Sequence, residues 1–422
     1  MSMRALNERF SKDFLWGSGV SMYQVGEAST QNQWNEWASE FSKVQAAQSR
    51  HQYADLELWD EHIKPLATDA KSYIVNSAIN HYRRYEEDFS LARKMGLTSF
   101  RVSIEWALIE PKEGAWDAAA IAYYVRYFKA LKAAELEPVV TLFHNTLPTW
   151  FAANGGFCKR SNVRYFERFA QKITEELGAY FKYVITIHQP DTYAQEAYLH
   201  GNWPPLQKSR FAYAKVLRNL AFAHTKIAQM LHGEHAKYQV SVAKTTRFVY
   251  PGDDAYLSRA SARVLQYMYD DFFLKKIVKN CDFIGVEYEM SCRVYGYRIH
   301  NSEGVKKDDV GEDLLPEDLQ FALERLYRRY KLPLFITGCG IIDAQDSQRG
   351  WWLMATIRAM GEAIDGGVRV IGYSYWSFLD GYEWDKGGWP KRGLIAIDTN
   401  GERKLRKSGE QYAKLIHKIR NN

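Results

Sequence analysis

Residues 82–106 read YRRYEEDFSLARKMGLTSFRVSIEW, a helix-like segment followed closely by a strand-like run. Apolar side chains recur at three- and four-residue spacing from Tyr82 to Met95, which predicts a helix with one apolar face. Gly96 is a typical helix stop. The run SFRVSIEW, rich in β-branched and aromatic residues, then predicts a buried strand. A helix feeding directly into a buried strand is the repeating unit of α/β folds.

The same unit recurs along the whole chain. Short apolar runs alternate with amphipathic helical stretches, and no linker-like or low-complexity segment interrupts them. The eight runs begin at Phe14, Ser99, Glu137, Tyr183, Gln239, Phe283, Leu332 and Val370. Eight such units predict an α/β fold of the (β/α)8 TIM-barrel type, with residues 1–422 as a single domain. A doubly wound open sheet is the alternative, but no G-x-G-x-x-G follows the first run, so no dinucleotide or other cofactor is predicted.

The composition of the chain narrows the classes of molecule that it is expected to bind and the compartment in which it is expected to work. The 422 residues carry a net charge of +6 with both signs interspersed, and no basic patch predicts a nucleic-acid partner. No apolar run reaches transmembrane length, and the N-terminal residues do not resemble a secretion signal. The four cysteines have irregular spacing, which favours a reducing compartment over a disulfide framework or zinc site. We therefore expect a cytoplasmic protein that binds a small molecule or glycoside, without nucleic-acid or membrane partners.

In such a barrel the active site forms at the C-terminal ends of the strands. The residues there are rich in polar and ionisable types, and the aromatic content of 15% fits either a large core or a sugar site. The strand-end positions are Gln24, Arg101, Glu105, His144, His188, Gln189, Glu287, Glu289, Gly338, Cys339, Trp376 and Glu383.

Several segments, in a fixed order, resemble glycoside hydrolase family 1, the β-glucosidase and β-galactosidase family. They are FLWGSGVSMYQ, HYRRYEEDFSLARKMG, FRVSIEW, TLFHNTLPTWF, GNWPP, DFIGVEY and YSYWSFLDGYEWDKGGWPKRGLIAID. The resemblance implies a (β/α)8 barrel that hydrolyses β-glycosides with retention, through a covalent glycosyl-enzyme that needs two carboxylates. In the family, an acid/base stands in a T-x-N-E-P motif after strand four and a nucleophile in a T-E-N-G motif after strand seven.

This chain departs from the family at both carboxylates. Strand four ends TIHQP, which puts Gln189 at the acid/base position, and strand seven ends TGCG, which puts Gly338 at the nucleophile position. A side-chain amide cannot act as a general acid or base near neutral pH, and glycine has no group that attacks a sugar. Loss of general acid catalysis alone costs about 10²–10⁴ in rate. Glycoside hydrolysis is therefore expected to be absent or very weak.

Other replacements surround these two. The family's N-Y-Y after strand six becomes Glu287, Tyr288 and Glu289. In the family the arginine at position 101 pairs with the nucleophile, and a buried guanidinium without a partner costs several kcal/mol, so either glutamate is expected to supply the charge. We interpret the changes as a pocket rebuilt as a unit, by selection or by design. The resemblance implies substrate contacts from Gln24, Arg101, His144, Asn145, Tyr288, Trp376, Glu383 and Trp384.

The residues at the barrel mouth could support either of two activities other than glycoside hydrolysis. Glu287 or Glu289 could act as a general base for proton abstraction, with Trp376 stacking a flat substrate. Alternatively, Cys339 and His188 could form an acyl-transfer pair.

Three further interpretations of the pocket are a metal site, glycoside synthesis, and ligand binding without turnover. A metal held by His188, His144, Cys339 and a glutamate is a third arrangement, but structural roles explain these residues more simply, so no metal is predicted. The glycine at 338 also enlarges the pocket and could admit an α-glycosyl donor for synthesis, although Gln189 lacks the base that this needs. The alternative function is a non-catalytic or inactivated β-glucosidase that still binds β-glycosides or glucose.

Overall fold

The computed structural model describes residues 9–26, 31–75, 79–234, 237–300 and 304–420. At its centre, eight parallel strands close into a barrel, so the predicted (β/α)8 architecture is confirmed. In the order of the chain the strands are β1 (Leu15–Val20), β2 (Ser99–Ser103), β3 (Glu137–Phe143), β4 (Tyr183–His188), β5 (Gln239–Thr246), β6 (Ile284–Tyr288), β7 (Leu334–Cys339) and β8 (Val370–Tyr375). Each pairs with its neighbours in sequence, and β8 closes on β1 through the pairs Leu15–Gly372 to Ser18–Tyr375.

Helices surround the barrel. The longer ones are Gln33–Tyr53, His81–Lys94, Ala118–Ala133, Val163–Leu177, Arg210–Glu234, Tyr256–Gln266, Phe272–Ile277, Asp318–Tyr330, Arg349–Asp365 and Lys407–Arg420. Short helical turns connect them at Trp59–Ile63, Lys64–Ala67, Ala70–Tyr73, Trp106–Ile109, Thr149–Ala153, Gly156–Cys158, Arg160–Asn162, Gly178–Tyr180, Pro190–Ala194, Gln195–His200, Tyr267–Asp271, Val278–Asn280 and Trp384–Lys386.

The helix predicted from residues 82–96 is observed one residue earlier, at His81–Lys94. It buries Phe89 and Ala92 against the barrel. Gly96 follows with φ of 81°, a left-handed conformation that costs glycine little and ends the helix before β2.

The barrel strands are buried on both faces, as their unbroken apolar character predicts. Six side chains fill one end of the barrel interior as a separate apolar cluster: Leu15, Val139, Ile185, Ala243, Phe283 and Phe335. Because these residues lie in the first half of their strands or just before them, except Ala243 near the middle of β5, the opposite end of the barrel is left for polar side chains.

Two excursions extend from the C-terminal ends of β5 and β6. Val249–Pro251 pairs in parallel with Cys292–Tyr295, which pairs antiparallel with Arg298–His300. A separate short pair is formed by Ile395–Ile397 and Arg403–Leu405. Among the described helices, none combines the length and apolar character that crossing a bilayer requires.

Candidate active site

A cavity of about 330 Å³ opens at the C-terminal ends of the strands. It is where a barrel of this type is expected to bind its ligand. The predicted site residues that line it are Gln24, His188, Gln189, Glu287, Glu289, Trp376, Glu383 and Trp384.

Glu287, rather than Glu289, is the partner of Arg101. Its Oε1 accepts a hydrogen bond from Arg101 Nη1 at 2.5 Å and another from Thr337 Oγ1 at 2.7 Å. The two charged side chains are only 1% and 3% exposed. Glu289 is 41% exposed and approaches Arg392 at 3.8 Å instead. A buried guanidinium thus keeps a carboxylate partner although position 338 carries none.

The other donors of Arg101 are also occupied. Nη2 donates to Nδ1 of His188 at 2.8 Å, Nε donates to Thr141 Oγ1 at 3.1 Å, and Nη1 also reaches the Thr337 carbonyl at 3.0 Å. Since arginine only donates, His188 Nδ1 accepts and its ring is neutral. Arg101 lies beside the cavity-lining residues Glu287 and His188 without lining the cavity itself, and its direct contact with a substrate stays a prediction.

The carboxylate of Glu287 fills the space beside Gly338. These residues are paired across β6 and β7, where the register shifts between Ile336 and Gly338. A Cβ on residue 338 would collide with Glu287 Oε2. That oxygen accepts no hydrogen bond from the described residues, whereas Oε1 accepts two. Burial raises the pKa of Glu287, although Arg101 and Thr337 oppose the shift.

Cys339 and Tyr288 face away from the mouth, so the sequence predictions for both are wrong. Cys339 is fully buried. Burial raises the pKa of its thiol to about 12, against hydrogen bonds from Tyr373 and Thr356. Tyr288 donates to the Leu315 carbonyl at 2.5 Å and does not line the cavity. Successive residues of a strand point to opposite faces, which turns these side chains into the helical layer.

The Cys–His pair therefore does not form, because His188 faces the cavity while Cys339 faces outward. Across the described part of the chain, no group of three or more His, Cys, Asp and Glu residues is arranged to hold a metal ion.

His144 is buried and packs against two residues of the cavity wall. Its ring lies 3.8 Å from the ring of His188 and 5.4 Å from that of Trp376, measured between centroids. Both ring nitrogens are buried without a hydrogen-bond partner among the described residues. Burial and then the charge of Arg101 hold the pKa of His144 well below its usual value. It lies directly behind the cavity-lining residues His188 and Trp376, and its contact with a sugar stays a prediction.

Asn145 has a backbone role. Its φ of 64° is left-handed, a conformation that asparagine tolerates better than most residues. Its carbonyl accepts from Trp34 Nε1 at 3.0 Å and from Gln33 Nε2 at 3.1 Å. The side chain is not among those that line the cavity, and its contact with a substrate stays a prediction.

The remaining sugar-site positions do face the cavity. Gln24 Nε2 donates to the Tyr382 carbonyl at 2.6 Å, which leaves Oε1 buried without a partner among the described residues. Trp384 stacks on Tyr23, with ring centroids 5.9 Å apart and planes 9° from parallel. Glu383 lies 3.7 Å from Arg392 Nε, too far for a hydrogen bond, and burial raises the pKa of its carboxyl.

Further charged residues at the cavity were missed from the sequence. They are Glu196, Arg247, Asp308, Glu312, Asp385, Lys386 and Arg392. Asp385, Lys386 and Arg392 stand within the quoted C-terminal segment, and Arg247 follows β5 directly, so their positions offered a signal. Asp308 and Glu312 belong to a long loop whose path only the fold reveals. Burial raises the pKa of Asp308 to about 7, against hydrogen bonds from backbone N–H groups.

Comparison with known proteins identifies the scaffold. The sequence model described as glycosyl hydrolase family 1 matches residues 6–290 and 276–421. The chain belongs to glycosyl hydrolase family 1. The family 1 β-glycosidase-type barrel is also seen in a solved β-glycosidase from Pyrococcus horikoshii, with a TM-score of 0.84, 27% identity and coverage of 97% of this chain and 95% of that one.

Two curated relatives differ in their named activity. The family 1 chain is 25% identical over 459 residues to β-glucosidase A of Acetivibrio thermocellus, covering 96% of this chain and 98% of the relative. It is 28% identical over 356 residues to galactolipid galactosyltransferase SFR2, chloroplastic, of Arabidopsis thaliana, covering 78% of this chain. The matched region spans just over half of that relative, 57% of its length.

Proposed function

We propose that this family 1 barrel binds a β-glycoside or glucose in its mouth and does not hydrolyse it by the family's double displacement. One observation carries the proposal: the same cavity is lined by Gln24, Trp376 and Glu383, which match sugar-binding positions, and by the amide of Gln189. The catalytic carboxylates are missing while the groups that hold a sugar are present.

Unpartnered polar atoms support ligand binding. Gln24 Oε1 and Arg392 Nε are buried without hydrogen-bond partners among the described residues. Buried polar atoms are almost always paired, and leaving one unpaired costs about 1–3 kcal/mol. The hydroxyls of a sugar both donate and accept, so one ring could satisfy the acceptor of Gln24 and the donor of Arg392. Trp376, which lines the cavity, offers an apolar surface for the sugar.

The lost acid/base supports the absence of hydrolysis. Gln189 occupies the start of the helical turn Pro190–Ala194, with φ of 40° and ψ of 60°. An amide there can orient a glycosidic oxygen but cannot protonate it. The Arabidopsis relative is named for galactosyl transfer, so a departure from hydrolysis has a named precedent among the similar proteins.

A general-base activity is the second candidate, favoured by the position of Glu287. Its Oε2 is free of hydrogen bonds from the described residues, and burial raises its pKa toward the range of a useful base. Acyl transfer is no longer proposed, because Cys339 faces outward. A benzisoxazole is the matching probe: Glu287 Oε2 would take the proton from the ring carbon while the N–O bond breaks to give a cyanophenolate.

The pairing of Glu287 with Arg101 and its placement over Gly338 form one connected change. This supports a pocket rebuilt as a unit, by selection or by design. The cytoplasmic location expected from the sequence stays a prediction.

Two measurements on the purified protein test the main proposal. Hydrolysis of nitrophenyl β-glucoside should be negligible, and glucose should raise the melting temperature, with an effect that grows with ligand concentration. Glu383→Ala should abolish the glucose shift, whereas the matched surface change Glu57→Ala should leave it unchanged. Turnover at family-like rates that survives repurification would overturn the loss of hydrolysis. Absence of a shift with glucose and with β-glycosides would overturn the binding.

A further inference from the structure

One surface beside the mouth combines exposed apolar and cationic side chains. We call it the rim patch. Its apolar members are Tyr256, Leu257, Val264, Tyr267, Met268 and Tyr297. Its cationic members are Arg259, Arg263, Lys275 and Arg298. Three of the apolar side chains are largely exposed, Tyr256 at 81%, Tyr297 at 72% and Val264 at 61%. Exposed apolar side chains grouped in this way mark interaction surfaces, unlike the scattered ones found on any protein.

The patch is continuous because a helix and a hairpin are joined. Leu257 and Val264 are seven residues apart on the helix Tyr256–Gln266, which places them on one face. The hairpin turn is bound to the first turn of this helix, where Gly296 N–H donates to Ser258 Oγ at 2.7 Å. Tyr297 therefore lies next to the end of the helix that carries Leu257.

The cations of the patch are not neutralised by the protein. Among the described residues, none of the four forms an ion pair within 4.0 Å. The neighbouring acids Asp270 and Asp271 turn inward and bind Arg325 at 2.6 and 2.8 Å. Asp253 and Asp254, before the helix, are the exposed acids nearest in sequence.

Two cationic side chains of the rim patch lie close to two of its aromatic rings. Lys275 Nζ lies 4.7 Å from the centre of the Tyr267 ring, and the guanidinium of Arg298 lies 5.6 Å from that of Tyr297. Apolar and aromatic groups with lysine and arginine beside them are the composition of surfaces that lie in the headgroup region of a bilayer.

We propose that the rim patch docks on an anionic lipid surface. The apolar side chains would enter the headgroup region while the arginines and the lysine meet lipid phosphates and carboxylates. A second copy of this chain is a poorer occupant, because a two-fold contact brings the same patch against itself and opposes its cations to one another.

The location of the rim patch determines which part of the protein would lie near the membrane. The helix Tyr256–Gln266 follows β5 and the hairpin follows β6, and the residues just beyond those strands, Arg247 and Glu289, line the cavity. Tyr267, Met268 and Lys275 lie farther from the mouth, along the same helical stretch. A docked molecule would hold its mouth beside the lipid headgroups. The sequence argued against a membrane partner only because it contains no apolar span, and that criterion does not detect a surface assembled from a helix and a hairpin.

Vesicle co-sedimentation of the whole chain tests the proposal. The protein should bind vesicles of phosphatidylcholine with about one-third phosphatidylserine, and only weakly bind pure phosphatidylcholine. Arg259→Glu with Arg263→Glu should reduce the partition coefficient about tenfold or more. Val264→Ser with Met268→Ser and Tyr297→Ser should remove the binding that persists at about 0.5 M NaCl, where charge attraction is screened.

Matched controls keep the outcome interpretable. Lys43→Glu with Lys414→Glu makes the same charge change outside the patch, and Phe211→Ser removes a 90%-exposed ring elsewhere; both should bind as the parent does. Thermal melts should confirm that every variant is folded. Absence of binding to anionic vesicles, or equal loss in the controls, would overturn the proposal. So would a concentration-dependent dimer that the serine variant abolishes, since the patch would then be covered by a second copy.

Discussion

The carboxylate of Glu287 occupies the space that a side chain on Gly338 would need. The two residues face each other across adjacent strands, and Arg101 binds Glu287 where the family has its nucleophile to bind. The negative charge that faces Arg101 therefore comes from β6 and not from position 338 on β7. A glycine at 338 is required by this arrangement, because any Cβ there would displace Glu287.

Restoring the nucleophile alone should fail. Gly338→Glu places two carboxylates in one buried space beside a single guanidinium, so we expect a destabilised protein without hydrolysis of nitrophenyl β-glucoside. Adding Glu287→Asn and Gln189→Glu removes the competing carboxylate and returns the acid/base. The triple variant should exceed the single variant by about 100-fold or more in kcat/KM. Equal rates in the two would show that Glu287 does not block the site.

Removing one partner of the buried ion pair should destabilise the protein more than removing both partners. Arg101→Met leaves Glu287 buried without a cation, and about 3–5 kcal/mol of unfolding free energy should be lost. Arg101→Met combined with Glu287→Leu removes both charges and should be clearly more stable than the single variant. Urea denaturation of the three proteins measures the difference. A double variant as unstable as Arg101→Met would indicate that packing, not the unpaired charge, sets the cost.

Stability should fall as pH rises from about 4.5 to 7 because of Glu105. Burial raises its pKa from 4.5 to about 7, against a hydrogen bond from Thr146. Within that window the folded carboxyl keeps a proton that the unfolded chain releases, so rising pH favours unfolding. Above it, both states are ionised and the loss is complete.

Glu105→Gln tests this directly. The amide keeps an acceptor for Thr146 Oγ1, which donates to Glu105 Oε2 at 2.8 Å, and cannot ionise. The variant should match the parent near pH 4 and exceed it by on the order of 2–3 kcal/mol at pH 8. Unfolding free energies measured across the range check this. A difference that does not vary with pH would contradict the raised pKa.

Cys339 should be unreactive in the folded protein. Its thiol is buried and its pKa is raised to about 12, so almost no thiolate exists at pH 8. Of the four cysteines only Cys158 is not fully buried, and it should be alkylated first. Iodoacetamide labelling followed by peptide mass spectrometry gives the order. Early labelling of Cys339 would reopen the acyl-transfer hypothesis.

Several predictions from the sequence held because they rest on local pattern. Eight apolar runs separated by amphipathic stretches predict eight strands and a barrel, since burial on both faces requires unbroken apolar strands. The replacement of the acid/base by Gln189 was read from one motif and stays a prediction. The outward direction of Cys339 was also available in principle: if Gly338 stands at an inward position, strand alternation turns the next residue outward.

The sequence by itself determined the barrel and its family, because periodicity and motifs are properties of neighbouring residues. Only the tertiary structure decided that Glu287 pairs with Arg101, 186 residues away, and that Glu289 does not. It also decided that His144 packs behind His188 and Trp376 and that a helix and a hairpin meet to form the rim patch. These features depend on strand register and on the packing of distant segments. A shift of one residue in the pairing of two strands would turn the opposite set of side chains toward the pocket. The pairing register depends on contacts between distant segments, and the local sequence pattern does not specify it.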